Sequence, residues 1–337
     1  MSDELKEELQ QPETEVEQNK VEEVDKLLSN EEMIEKPQDG DLPYEQVIEE
    51  GRLAFTKKYK DGRRNSYIAM GVVVALAIMA VIFIGFNQMG FKIAGWSTIG
   101  VAVVGMIVFY IVTRNQLPSA TKEYIALVNN ELNKRNFSDT KFSDVYTDKN
   151  EKLEASENIS DNIYLNITNI ASRNVINGKF AGRTFKVGDC GLYSGAGKNR
   201  TSLFVGKYVS YPNDLHFENR YILVLKGSSA VDQPNDMADL KLLSDDDGLL
   251  IYGKENAKPN ADLGKDFISA IKKISVDNHL LNANFVIWSG HCSAYLSYDD
   301  PIMTLPFEKE FNKEPNEQYA HNLLAVLSAF ELTIKKE

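Results

Sequence analysis

Residues 67–86 read YIAMGVVVALAIMAVIFIGF, twenty in a row without Asp, Glu, Lys, Arg or His. At about 1.5 Å per residue, a helix of that length spans roughly 30 Å, the thickness of a bilayer's hydrocarbon core. Eleven of the twenty are Leu, Ile, Val or Phe, which favours insertion by roughly 5 kcal/mol. A second uncharged run, 93–113, has ten such residues and predicts the same. Buried core helices rarely go eighteen residues without a polar side. A signal peptide would be shorter and sit at the extreme N-terminus, ahead of a cleavage site. Only residues 87–92 separate the runs, which predicts a membrane-embedded helical hairpin.

The flanking charges set its orientation. Arg52, Lys57, Lys58, Lys60, Arg63 and Arg64 precede the first run, Lys92 alone lies between the two, and Arg114, Lys122, Lys134 and Arg135 follow the second. By the positive-inside rule both flanks face the cytoplasm. The expected location is therefore the plasma membrane, multi-pass, with both termini inside. Neither run carries an ionisable residue of the kind that transport pathways use. Small residues at Gly71, Ala75, Ile78, Ile82 and Gly85, and at Ala94, Thr98, Ala102 and Gly105, offer candidate helix-packing faces.

Charge is unevenly placed elsewhere too. The first fifty residues hold 18 Asp/Glu against 4 Lys/Arg, while the whole chain is −12, so everything after residue 50 amounts to +2. Residues 1–42 read as a disordered acidic tail, with a faint helical stripe at Val21, Val24, Leu27 and Leu28. The tail is a candidate contact for a cytosolic protein partner. Residues 43–66 form a basic juxtamembrane segment suited to anionic lipid headgroups. Residues 114–139 extend the second span as a juxtamembrane helix, with Pro118 in its first turn.

Residues 140–337 are enough for one domain with a real core. Strand-like alternation runs through 184–193, 201–211, 221–226, 249–254, 285–289 and 292–298. Asp262 is placed to cap a helix carrying Leu263, Phe267, Ile271 and Ile274. A last helix after Pro315 aligns Tyr319, Leu323, Leu327 and Phe330. The expected fold class is a membrane α-helical hairpin plus a cytosolic α+β domain with a mainly antiparallel sheet.

The succession NGKFAGRTFKV (177–187), TSLFVGKY (201–208) and FENRYILV (217–224) resembles a group of uncharacterised bacterial membrane proteins with two N-terminal spans and a cytosolic domain of unknown function. The resemblance runs by order of elements over roughly residues 60–337 and leaves the acidic tail outside. It implies the same architecture and brings no activity, ligand or catalytic residue with it.

Local motifs are weak. Ser194-Gly-Ala-Gly-Lys198 lacks the first Gly and the final Ser/Thr of a phosphate loop and precedes a strand, so it reads as a hairpin turn. Ser244-Asp-Asp-Asp-Gly248 lacks the twelfth-position Glu of a calcium loop and reads as a polar turn. His291, Cys292 and His279 are the candidate catalytic participants. In a strand, however, His291 and Cys292 would point to opposite faces. Cys190 and Cys292 suit a reducing cytosol as free thiols. Asn-x-Ser/Thr triplets at Asn136, Asn158, Asn166 and Asn199 would accept glycans only outside the cytosol. Arg183, Lys186, Lys198, Arg200, Lys207, Tyr208, Tyr211 and Arg220 mix basic and aromatic character, but a +2 region is no nucleic-acid binder. The expectation is a membrane-anchored cytosolic binding or scaffold module, without cofactor, metal or nucleic acid. A membrane-proximal enzyme and a small transport accessory subunit are the alternatives.

Overall fold

The computed structural model describes residues 31–34, 36–38, 42–85, 89–148, 151–153, 161, 163–225, 239–246, 248–274, 280–299 and 309–334. They divide into two compact units. One comprises residues up to 36, 136–304 and 314 onward; the other comprises 37–135 and 305–313.

The second unit is a pair of long helices, α1 (Tyr44–Gly85) and α2 (Met89–Asn136). Helix α1 enters the apolar run without a break, so the basic juxtamembrane segment is itself helical from Tyr44 onward. The reason is visible in its side chains. Ile48 and Phe55 are buried on one face, together with Tyr124, Val128 and Leu132 of α2, and the Phe55 and Tyr124 rings stack with centroids 5.2 Å apart. Residues 309–313 clip the start of α1: Lys313 Nζ donates to Glu45 (3.0 Å), the Phe311 N–H donates to Glu49 (3.3 Å), and the Phe311 ring meets Tyr44 edge-on.

Further along, Ala80, Gly95 and Ala102 are buried where the helices meet. A Cβ on Gly95 would sit 2.9 Å from the Ala80 carbonyl oxygen, which is how small residues let helix backbones approach. Within the chain, only part of the small-residue faces read from sequence is used. Ala102 packs, whereas Gly71, Ala75, Ile78, Ile82, Gly85, Ala94 and Gly105 face outward. Spacing identifies a stripe but not which of several stripes meets the partner helix. One boundary also moves: residues 89–92 belong to α2 rather than to a loop. The expected continuation of the second run as a helix is seen through Asn136, with Pro118 inside it.

The first unit is built on one ten-stranded antiparallel sheet flanked by helices, an α+β arrangement. Its strands in chain order are β1 (Glu31–Met33), β2 (Phe142–Asp148), β3 (Asn169–Phe180), β4 (Arg183–Ser194), β5 (Thr201–Pro212), β6 (Tyr221–Leu225), β7 (Lys241–Asp246), β8 (Leu249–Gly253), β9 (Leu280–Trp288) and β10 (His291–Tyr298). In space they run β1-β2-β3-β4-β5-β10-β9-β6-β8-β7. Strand β1 lies inside the stretch expected to be tail and pairs with β2. Residues 1–30, including the Val21 to Leu28 stripe, lie outside the described residues.

Helices α3 (Pro259–Asp262), α4 (Lys265–Lys272) and α5 (Glu314–Glu331) complete the unit. Asp262 does not cap α4, whose N-cap is Gly264 at φ +86°. Its carboxylate instead accepts a hydrogen bond from the Tyr221 hydroxyl.

The two-residue period of the central strands builds two cores. Tyr221, Leu223, Phe285, Ile287, Cys292, Ala294 and Leu296 share one with Phe267 and Ile271 of α4 and with Leu323, Leu327 and Phe330 of α5. Ile222, Val224, Val286, Tyr295, Phe204, Tyr208 and Cys190 share the other with Leu153, Ile163 and Tyr164. Both faces of the middle of the sheet are thus covered.

Candidate functional site

The second core contains a buried carboxylate. Strand β10 alternates His291, Ser293 and Tyr295 toward that face, pairing Tyr295 with Tyr208 of β5 and His291 with Trp288 of β9. Asp161, with no exposed surface, lies on this row. Its Oδ2 accepts from Ser293 Oγ (2.7 Å), from the Tyr295 hydroxyl (2.7 Å) and, more weakly, from the Tyr208 hydroxyl (3.5 Å). Its Oδ1 accepts from Trp288 Nε1 (3.4 Å) and lies 3.7 Å from His291 Nε2. Arg220 Nη1 donates to the Asp161 carbonyl oxygen (2.8 Å), while Nη2 pairs with Asp239 (3.1 Å).

Burial pushes the Asp161 carboxyl above the ordinary 3.8. The charge of His291 and the hydrogen bonds from Ser293, Tyr295 and Trp288 pull it back. Desolvation, with the neighbouring Asp161 charge, likewise holds the Tyr295 phenol well above its usual range. The polar row continues with Asn282, Asn284 and Ser297, all fully buried. The Asn284 amide donates to the Tyr164 hydroxyl at 3.1 Å.

Such a cluster can do two things. It can fix the segment around residue 161 to the sheet, because a buried carboxylate that satisfies several hydroxyl and ring donors is costly to withdraw. It can also orient an imidazole, since His291 stands at its rim with a fifth of its side chain exposed (21%).

Cys292 faces the other way. Fully buried in the first core, its sulfur receives a hydrogen bond from Asn213 Nδ2 at 3.3 Å and lies 3.9 Å from Thr333 Oγ1. Desolvation lifts its thiol to about 12, so it is no thiolate nucleophile near neutral pH. Cys190 lies in the second core, its thiol also raised by burial. Cys292 and His291 therefore do not form a pair, and His279 lies outside the described residues.

The remaining candidates resolve locally. Residues 194–201 form the β4–β5 hairpin, with Ser194 opposite Thr201. A Cβ on Gly195 would fall 2.5 Å from the Asn199 carbonyl oxygen, so the glycines there serve a tight turn. Ser244, Asp245 and Asp246 end β7, which pairs with β8, and Asp246 pairs with Lys272. Among the described residues no three His, Cys, Asp or Glu side chains converge as metal ligands. Asn136 is buried and donates to Asn316 (3.2 Å).

The basic-aromatic set is not a solvated strand face throughout. Tyr208 and Tyr211 are core residues. Lys207 is buried in an ion pair with Asp189, which also receives a 2.7 Å bond from Asn174. Arg183 pairs with Asp214, Lys186 with Glu151, and Arg200 stacks over Tyr193.

Sequence reasoning singled out His291 but missed Asp161, which sits in a polar stretch with no marker of its own. The available signal was polar side chains at alternate positions of otherwise apolar strands: His291, Ser293 and Ser297 on β10, and Asn282 and Asn284 on β9. No family model, no curated protein and no solved structure matches the chain.

Proposed function

We propose that the chain is a two-span integral membrane protein whose α+β unit lies in the cytoplasm and acts as an anchored binding or scaffold module. The observation that carries this reading is the outer surface of α1. This helix is long and apolar enough to cross a membrane. It exposes Tyr67 (62%), Ile68 (59%), Met70 (61%), Val74 (50%), Ile78 (56%) and Val81 (69%). An unbroken apolar surface of that extent calls for lipid or a protein partner rather than water. Helix α2 adds a shorter apolar stretch, Ile93–Met106, among the described residues. The basic flanks and the charge-poor connection support the cytoplasmic placement of both ends.

A binding rather than catalytic role is supported by the burial of both thiols, which leaves Cys190 and Cys292 to stability. The test is fractionation of cells expressing the full chain. Alkaline carbonate should leave it in the membrane pellet, and protease added outside intact cells should leave the C-terminal region whole. Release by carbonate would overturn the anchor, and external digestion of that region would overturn the sidedness.

One observation favours a second reading, an enzyme with an acid–base centre: the partly exposed His291 beside buried Asp161. His291→Gln would abolish turnover in that case, whereas a binding module would keep its partner.

A further inference from the structure

The structure divides the basic segment into residues held by protein and residues turned toward the apolar run. Arg52 is buried and grips Glu49 with both Nε (2.7 Å) and Nη2 (2.5 Å). It is withdrawn from the surface and lies about 22 Å along the helix from Tyr67. Lys58 bridges to Glu123 of α2 at 3.1 Å. Lys60 and Arg64 lie on a single stripe of α1 with Tyr67, Ile68 and Gly71, spaced three or four residues apart. About 10 Å and 5 Å of helix rise separate them from Tyr67. Lys60, Arg64, Tyr67 and Ile68 line an open groove of about 470 Å³, and Gly71 beyond them leaves its surroundings clear. Among the described residues Arg64 pairs with Asp61 at 3.4 Å, and its guanidinium carries five N–H donors in a fork that suits a phosphate.

We infer that this groove binds one anionic phospholipid. Lys60 and Arg64 hold the headgroup phosphate, Tyr67 sits at the interface, and an acyl chain lies along Ile68 and Gly71. The proposal rests on the membrane-spanning reading. Its groove is too open to enclose a soluble ligand, most of whose surface a binding pocket must bury. A lipid needs no such enclosure, because the bilayer covers its other side. Two cations beside an apolar wall fit a phosphate joined to a hydrocarbon chain, and an aromatic ring at that depth is the usual interfacial anchor.

The test uses the full chain in nanodiscs of phosphatidylcholine carrying a trace of spin-labelled phosphatidylglycerol or of spin-labelled phosphatidylcholine. The motionally restricted label fraction reads out binding. Wild type should restrict the anionic label preferentially. Lys60→Gln with Arg64→Gln should cut that preference by up to about thirtyfold, from two contacts worth up to about 1 kcal/mol each. Lys57→Gln with Lys58→Gln removes the same charge farther from the apolar run and should leave it intact. Equal loss in both double variants would show diffuse attraction and overturn the site, as would an embedded wild type with no preference. Displacement of the label by millimolar inorganic phosphate would reveal a phosphate site and overturn the lipid. Carbonate extraction of the wild type would instead bring down the anchor reading itself.

Discussion

At the scale of single residues, Asp161 decides the most. Replacing it by Ala would leave the Ser293 and Tyr295 hydroxyls and the Trp288 ring N–H facing an empty buried space. Each stranded donor costs about 1–3 kcal/mol, so Asp161→Ala should lower unfolding stability by about 3 kcal/mol or more in denaturant titrations. The pH dependence has a definite sign. Burial raises the folded-state value above 3.8, so the folded chain holds this proton more tightly than the unfolded one. Its contribution is complete below 3.8 and is lost as pH climbs through the raised value. Asp161→Asn removes that titration, so wild-type stability relative to the Asn variant should fall over this interval. A difference that stays flat or grows with pH would contradict it. Cys292→Ala should be mild by comparison, costing about 1 kcal/mol in thermal unfolding without loss of partner binding.

Among the elements, β5 and β10 are the axis on which the sheet turns, joining β1–β4 to β9, β6, β8 and β7. Gly206 lies in that axis, where an added Cβ would come within 2.1 Å of the Leu296 carbonyl oxygen of β10. Gly206→Ala should therefore separate the two strands and destabilise the unit by about 1–3 kcal/mol, towards the upper end. Faster amide exchange confined to β5 and β10 would locate the damage.

Legibility followed the physics of each strand. Those with a clean alternation or an apolar run (β4, β5, β6, β8, β9 and β10) could be read from sequence. Strand β3 carries a polar pattern and a bulge beside Asn174, which has φ +49°, so no two-residue period survives. The β7 sequence KLLSDD is an exposed edge with its own register shift. Strand β1 is three residues long and defined only by its pairing with β2. The Asp161 cluster was illegible for a related reason: besides Asp161 its members come from β5, β9 and β10, and chain separation hides what hydrogen bonding joins.

For the molecule as a whole, the apolar surface of α1 and the charge asymmetry of the chain are the dominant facts. Both were plain in sequence because neither a long uncharged run nor a charge count needs tertiary context to be read. Sidedness makes a whole-chain prediction as well. On the proposed orientation Asn166 and Asn199 should stay unglycosylated when the protein is expressed in a eukaryotic secretory system, and a mobility shift removed by glycosidase would overturn that orientation.

Helix α1 also has a mechanical side. It contains no proline between Tyr44 and Gly85, so the half before Tyr67 is a stiff arm of roughly 34 Å continuous with the apolar half. If the bilayer grips the apolar half, a tilt of about 10° swings the far tip by roughly 6 Å. That tip is where residues 309–313 are fastened, immediately before α5 begins. A change in tilt would thus act first on residues 309–313, the segment fastened to that tip.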